Sequence, residues 1–216
     1  NGKLLSKIYS VFLLVMIASQ SYASNIIEGN LGSKIQGEVI STFNYPWSFS
    51  FLDNDHLLVA TKPGELWLLD SAGTKTVVKN MVSVEYGGQG GMGDVVPHQN
   101  YSENHFVYLS YITSDDGGQT RYAVVDQAIL RDLGSPKLEN IERIWEQFPA
   151  VKGKGHFSHR IAFGPKGSAH ENKIFITSGD RQMQHPAQMW ETNFGKIIRL
   201  NDDGSVPHDN PFKNRG

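Results

Sequence analysis

The feature that most constrains the fold of this chain is a strand pattern that recurs three times. Short runs rich in β-branched and aromatic residues are separated by clusters of Gly, Pro, Asp and Asn. Such runs are typical of antiparallel strands joined by hairpins. The predicted strands cover residues 47–52, 56–61, 64–70 and 75–79, then 91–98, 105–113, 120–130 and 139–147, and finally 159–165, 172–180 and 195–202.

The three rounds follow one another at a spacing of about 45–60 residues, which is the range of β-propeller blades. Each blade is a small sheet that buries its faces against its neighbours around a central channel. We therefore expect an all-β chain with about three blades. Three blades alone would leave two sheet faces and their edges unburied, so the pattern predicts a fragment of a longer protein. The alternative is a β-sandwich of unrelated hairpins, which would not explain the recurring order.

The composition argues against one class of partner and against one means of stabilisation. A net charge of −2 leaves no basic excess, so nucleic acid is not an expected partner. The chain has no cysteine, so packing rather than disulfide bonds must stabilise it.

The N-terminus has the parts of a secretory signal peptide. Lys3 and Lys7 precede an apolar run over residues 8–18, and small residues follow, with cleavage expected after Ala23. The run is shorter than the about 20 residues of a spanning helix, so an uncleaved anchor is the less favoured alternative. We expect a periplasmic or secreted protein without stable membrane insertion after cleavage. The predicted domains are residues 1–23 as signal peptide, 24–43 as a leader or first outer strand, and 44–216 as the propeller-type domain.

Four motifs follow one another along the chain. They are GGQGGMGDVV at 87–96, GHFSHRIAFGP at 155–165, IFITSGD at 174–180 and GKIIRLNDDGSVPHDNPF at 195–212. Together they resemble the soluble glucose/sorbosone dehydrogenase family, whose aldose sugar dehydrogenases use pyrroloquinoline quinone (PQQ). The last motif is the most specific. The resemblance implies a six-bladed β-propeller with PQQ and the sugar at the top of its channel, of which this chain would hold the N-terminal half.

The stretch GKGHFSHR contains the candidate catalytic base. Oxidation of an aldose at its anomeric carbon removes a proton, which suits histidine, and a hydride, which requires a cofactor. The resemblance implies that His156 is the general base, that Arg160 is the matching binding arginine, and that PQQ accepts the hydride. From the residues alone, the favoured interpretation of His156 is an exposed histidine in a glycine-rich turn.

His159 departs from glucose-type family members, which commonly have a small residue at this position. Its imidazole would either narrow the sugar pocket or point away from it. His156 and His159 are also spaced like two zinc ligands. In a chain without cysteine, the other zinc ligands would have to come from scattered His, Asp and Glu residues, so no metal ligand is predicted here.

Three further polar residues are candidate substrate- or cofactor-binding residues through the resemblance. Gln89 lies in the turn YGGQGGMGD, where glycines permit close approach and a primary amide can bond to sugar hydroxyls. Asp180 and Gln184 lie in a loop after an apolar strand, where binding groups collect. The alternatives are a flexible loop around Gln89 and a turn cap at Asp180. The resemblance places further cofactor-binding cations and the Ca²⁺ ligands beyond residue 216.

These observations predict a quinone-dependent oxidoreductase that converts aldose sugars to lactones. Its partners would be a small aldose and an electron acceptor that the sequence does not identify. The fragment alone would have a base but little of the cofactor site, so it is predicted to be inactive. The main alternative is a non-catalytic secreted β-propeller that binds a sugar or a protein, because propellers host many functions. A propeller hydrolase would require paired carboxylates facing the channel, and no stretch indicates them.

Overall fold

The computed structural model describes residues 25–212, and the chain divides into two units, residues 1–40 and 41–216. In the first unit, β1 (Asn25–Glu28) and β2 (Lys34–Gly37) form an antiparallel pair of their own. The segment predicted as a leader or first outer strand thus contains two short strands. The predicted signal peptide lies outside the described residues. Within those residues, no helix is both long and apolar enough to cross a membrane.

Three sheets follow in chain order, and each is an antiparallel meander. The first consists of β3 (Pro46–Phe51), β4 (His56–Thr61), β5 (Leu66–Asp70) and β6 (Lys75–Val77). The second consists of β7 (Met92–Pro97), β8 (Phe106–Thr113), β9 (Tyr122–Arg131) and β10 (Lys137–Glu146). The third consists of β11 (Ser158–Phe163), β12 (Lys173–Ser178) and β13 (Lys196–Asn201). A helical turn, α1 (Tyr101–Asn104), follows β7, and a 3₁₀ turn (His185–Gln188) precedes β13.

Aspartate side chains explain the positions of two of the turns between strands. Asp53 accepts hydrogen bonds from the backbone N–H groups of Asp55 (2.8 Å) and His56 (2.7 Å) between β3 and β4. Asp70 accepts from the N–H of Thr74 at 2.8 Å between β5 and β6. Such local bonds offer the backbone an alternative to the strand ladder, so they favour a turn.

The first strands of neighbouring sheets lie side by side. Ser48 and Ser50 on β3 donate hydroxyl hydrogen bonds to the carbonyls of Gly93 and Val95 on β7, both at 2.6 Å. β11, the first strand of the third sheet, also contacts β7. This is the arrangement of propeller blades, in which the first strand of each blade lines the channel.

The core occupies the two spaces between adjacent sheets. The cluster between the first and second sheets includes Leu58, Leu66, Met92, Leu109 and Leu130. The cluster between the second and third sheets includes Tyr108, Ile112, Phe157, Ile174 and Ile176. Leu109 and its neighbour Tyr108 on β8 belong to different clusters because successive side chains of a strand point to opposite faces. The second sheet is therefore buried on both faces, as a blade between two blades must be.

Candidate functional site

A cavity of about 450 Å³ is lined by residues from all three sheets. Its walls contain Trp47, Lys62, Gln89, Gly93, His156, Phe157, Ser158, His159, Arg160, Gly179 and Asp180. Four of the five residues predicted for the site therefore lie together, although they are up to 91 positions apart (180 minus 89) in the sequence. A larger cavity of about 650 Å³ runs along residues 49–52 and 96–102, and it is lined by none of the five.

The imidazole of His156 stands at this cavity and is held from two directions. The residue lies just before β11 with a φ of 49°, and half of its side chain is exposed. Its backbone N–H donates to Oε1 of Gln89 at 2.7 Å. Its ring Nδ1 lies 3.0 Å from Oδ1 of Asp180. The predicted base and two of the predicted binding residues are thus in direct contact.

The contact with Asp180 sets the tautomer of His156. The hydrogen bond from the imidazole, together with the N–H of Gln182 at 3.0 Å, holds the pKa of Asp180 below its usual value. An ionised carboxylate only accepts hydrogen bonds, so Nδ1 must carry the proton that it shares with Asp180. In the neutral ring, Nε2 then keeps its lone pair, which is the form that a general base requires. Asp180 also caps its own turn, since its Oδ1 accepts the N–H of Gln182, and a binding role for this residue stays a prediction.

The turn that carries Gln89 approaches the His156 loop closely because of its glycines. Gly88 has a φ of 58°, and a Cβ on it would stand 2.7 Å from the carbonyl oxygen of Lys154. The N–H of Gln89 donates to that carbonyl at 2.8 Å. The side-chain oxygen of Gln89 accepts the backbone N–H of His156, so the amide of Gln89 holds the loop that carries His156.

Arg160 extends from β11 to a buried acid that the sequence analysis did not select. Its Nη1 lies 2.6 Å from Oδ1 of Asp94, whose side chain is 5 % exposed, while the arginine is 67 % exposed. Oδ2 of Asp94 accepts from the N–H of Ile161 at 2.8 Å. Burial raises the pKa of Asp94, and these two partners offset that effect only in part. The charge within the apolar run of β7 was the signal for Asp94, because buried carboxylates need partners.

His159 points into the fold and forms part of the cavity wall. The ring is 4 % exposed, and its Nδ1 lies 3.0 Å from the hydroxyl of Ser110. A Cβ on Gly93 would stand 2.2 Å from this ring, so only glycine fits opposite it. Burial, followed by the charges of Arg160 and Lys62, lowers the pKa of His159 to about 4. The ring thus forms part of the cavity wall, and its effect on a sugar stays a prediction.

The structure separates Gln184 from the cavity. Gln184 is exposed, precedes the 3₁₀ turn and is not among the lining residues. Two lining residues that the sequence analysis did not select are Trp47 and Lys62, and the Lys62 ammonium lies 4.2 Å from the centre of the Trp47 ring. Within residues 25–212, no group of three or more His, Asp or Glu side chains is arranged to hold a metal ion.

Comparison with known proteins gives consistent matches. The profile of the Glucose / Sorbosone dehydrogenase family matches residues 43–216. Aldose sugar dehydrogenase YliI of Escherichia coli is 31 % identical over 172 residues, which is 78 % of this chain and 44 % of that protein. Quinoprotein glucose dehydrogenase B of Acinetobacter calcoaceticus is 26 % identical over an alignment of 250 residues that covers 99 % of this chain and 50 % of that protein.

Solved structures show the same relationship in three dimensions. The apo-form of the soluble aldose sugar dehydrogenase from E. coli has a TM-score of 0.71 at 28 % identity, covering 79 % of this chain and 48 % of that one. The PQQ-bound aldose sugar dehydrogenase from Streptomyces coelicolor has a TM-score of 0.67 at 24 % identity, covering 81 % and 49 %. The predicted fold class, an all-β chain with about three propeller blades, is confirmed. The chain spans about half the length of these relatives.

Proposed function

Because the chain belongs to the glucose/sorbosone dehydrogenase family, we propose that it supplies the proton-accepting part of a PQQ-dependent aldose dehydrogenase site. The site would oxidise the anomeric carbon of an aldose to the lactone. The observation that carries the proposal is the His156–Asp180 pair at the cavity, with Nδ1 and Oδ1 3.0 Å apart. Half of the imidazole is exposed, so a sugar hydroxyl has access to it.

In the proposed reaction, Nε2 of His156 takes the proton of the anomeric hydroxyl. The C1–H bond breaks as the electron pair on oxygen forms the carbonyl of the lactone, and the hydrogen leaves carbon with its electrons. When bound, PQQ supplies the two-electron acceptor, a role for which proteins have no side chain. Asp180 keeps the ring oriented and stabilises the imidazolium that forms, as carboxylates do in other acid–base pairs.

Two cations and one aromatic ring of the cavity wall offer contacts to a planar, anionic quinone. Lys62 and Arg160 bring positive charge to the walls, and Trp47 presents an exposed aromatic face. Guanidinium groups pair well with carboxylates, and aromatic rings stack on flat ligands. These three residues would contact PQQ, and further cations would be needed to retain it. Calcium stays a prediction, as do periplasmic or secreted location and the inactivity of the chain when it is purified alone.

The test uses both the chain as given and the complete product of its gene. Each protein is mixed with PQQ and Ca²⁺, PQQ binding is measured by fluorescence quenching, and dye reduction is followed with glucose and other aldoses. We expect turnover in the complete product that His156→Asn lowers by about 100-fold or more, since general bases contribute about 10²–10⁴-fold. A His156→Asn protein with the wild-type rate would remove His156 from this role. Absence of PQQ binding by the complete product would favour a non-catalytic propeller that binds a sugar or a protein.

A further inference from the structure

Arg181 is a buried cation beside the site that no step of the proposed reaction uses. It lies in the loop after β12 and is 4 % exposed. Its guanidinium donates three hydrogen bonds to backbone carbonyls, from Nε to Gly155 (3.0 Å), from Nη2 to Gly153 (3.0 Å) and from Nη1 to Arg121 (2.7 Å). Two of these carbonyls belong to the loop that carries His156.

The main chain around Arg181 contacts the same loop. The N–H of Arg181 donates to the carbonyl of His156 at 3.2 Å, and the N–H of Gly179 donates to that of Phe157 at 2.9 Å. The guanidinium carbon also lies 3.8 Å from the centre of the buried Phe157 ring, a cation–π contact. The segment that carries Arg181 therefore holds the loop of the base through both backbone and side chain.

The end of this loop and the first residues of β11 require such support because their backbone conformation is unfavourable. His156, Ser158 and His159 have φ values of 49°, 61° and 59°, in the left-handed region that residues with a Cβ seldom adopt. Each such residue costs about 1–2 kcal/mol. Strained conformations persist only where the surroundings over-determine them, and Arg181 contacts this segment through two hydrogen bonds and one ring contact of its side chain.

Packing alone does not explain an arginine at this position. Among the described residues, its guanidinium bonds to backbone carbonyls rather than to a carboxylate. Burial, reinforced by the charge of Arg121, lowers the pKa of Arg181 to about 10. Taking a cation out of water is costly unless hydrogen bonds replace its hydration. Methionine would fill a similar volume without the desolvation cost of a buried cation. Only a planar guanidinium, however, can donate to three carbonyls at once.

We propose that Arg181 is a positioning residue that fixes the imidazole of His156 in its base orientation, an inference that rests on the proposed function. Arg181 binds the carbonyls of Gly153 and Gly155 with its side chain and that of His156 with its N–H. These contacts set the backbone from which the ring reaches Asp180. The proton on Nδ1 of the ring then stays directed at Asp180, and the lone pair on Nε2 stays available to the sugar.

The test replaces the guanidinium of Arg181 and makes the matching replacement at a second arginine as the control. Arg181→Lys retains a cation that cannot reach three carbonyls, and Arg181→Met removes the charge at similar bulk. Arg199→Lys is the control, because Arg199 also clamps a loop, through Asp209 (2.9 Å) and Asn210 (2.8 Å), and lines a different cavity. Thermal unfolding of all variants identifies any loss of stability that is common to both arginines.

The deciding measurement is the tautomer of His156 in the ¹⁵N-labelled chain, recorded by NMR at neutral pH. The wild type should show the Nδ1-protonated ring and a slowly exchanging His156 amide. Both Arg181 variants should show mixed tautomers and amide exchange about 10-fold faster or more, whereas Arg199→Lys should not. Neither readout needs PQQ or turnover, so the result stands apart from the test of the proposed function.

Activity adds a second readout in the complete gene product with PQQ. Arg181→Lys should lower kcat by about 10- to 100-fold with a smaller change in KM, because a displaced base affects the reaction more than binding. Wild-type tautomer and exchange in both Arg181 variants would overturn the proposal even if stability falls. If one of the two Arg181 variants does not fold, the other decides by the same two readouts.

Discussion

Acidification should destabilise the fold through His159. Burial, together with the charges of Arg160 and Lys62, lowers the pKa of this ring from 6.5 to about 4. Between these values the unfolded chain binds a proton on the ring and the folded chain does not, so stability rises with pH. The contribution of His159 to the free energy of unfolding is therefore complete above about pH 6.5 and is lost as the pH falls to about 4.

The size of the effect follows from the two pKa values of His159. At about 1.4 kcal/mol per tenfold change in proton affinity, the fall from 6.5 to about 4 corresponds to about 3 kcal/mol. Of this, about 2 kcal/mol is lost between about pH 7 and about pH 4.5. Domains are stable by only about 5–15 kcal/mol, so the loss is easily measured.

Urea unfolding of the chain at about pH 7 and about pH 4.5, followed by tryptophan fluorescence, measures this difference. His159→Gln keeps a polar partner for Ser110 but cannot gain the proton. Between the two pH values the variant should lose about 2 kcal/mol less than the wild type. Comparing the two proteins cancels other groups such as Asp94, whose raised pKa acts in the opposite direction. Equal losses in both proteins would refute the reasoning.

Three further predictions concern the loops and the exposed face. Gly88→Ala should lower the free energy of unfolding by about 1–3 kcal/mol more than Gly117→Ala, because both have positive φ but only a Cβ on Gly88 would clash with a carbonyl oxygen, at 2.7 Å. Urea unfolding measures both variants, and equal losses would contradict the prediction. Asp180→Asn should lower kcat of the complete gene product by about 100-fold or more by releasing the tautomer of His156, and an unchanged rate would count against the pair. Phe49→Ser combined with Phe51→Ser should reduce self-association in light scattering without lowering the melting temperature, because these rings are 65 % and 71 % exposed; unchanged scattering would show that this face does not drive association.

Most of the fold could be predicted from the sequence because its strands are bounded by local turn chemistry. β4 begins at His56 and ends at Thr61, as the pattern predicts, since Asp53 fixes the turn before it. β10 begins two residues before its predicted start at 139, because Lys137 and Leu138 pair with the end of β9. Such pairing depends on the neighbouring strand, and the segment itself carries no sign of it.

The site could be predicted less completely, and the reason is sequence separation. His156, Gln89 and Asp180 could be selected because each lies in one of the motifs that together resemble the family. Asp94 is marked only as a charge within an apolar run, and Arg181 is not marked at all, because their partners lie 66 (160 minus 94) and 26 (181 minus 155) positions away. Gln184 was selected through the resemblance, as a polar residue in the loop after an apolar strand. It lies outside the cavity because of the course of the backbone after Asp180.

The charge of the described cavity wall bears on how PQQ would be held. Lys62 and Arg160 contribute two positive charges, Asp94 and Asp180 contribute two negative charges, and His159 is neutral at physiological pH. These residues therefore give little net Coulomb attraction for a cofactor that carries three carboxylates. Strong binding of PQQ requires cations other than these, so the chain by itself should bind PQQ weakly and lose that binding as salt is added. The proposed proton acceptor, His156, and the charges that would retain PQQ are thus different residues.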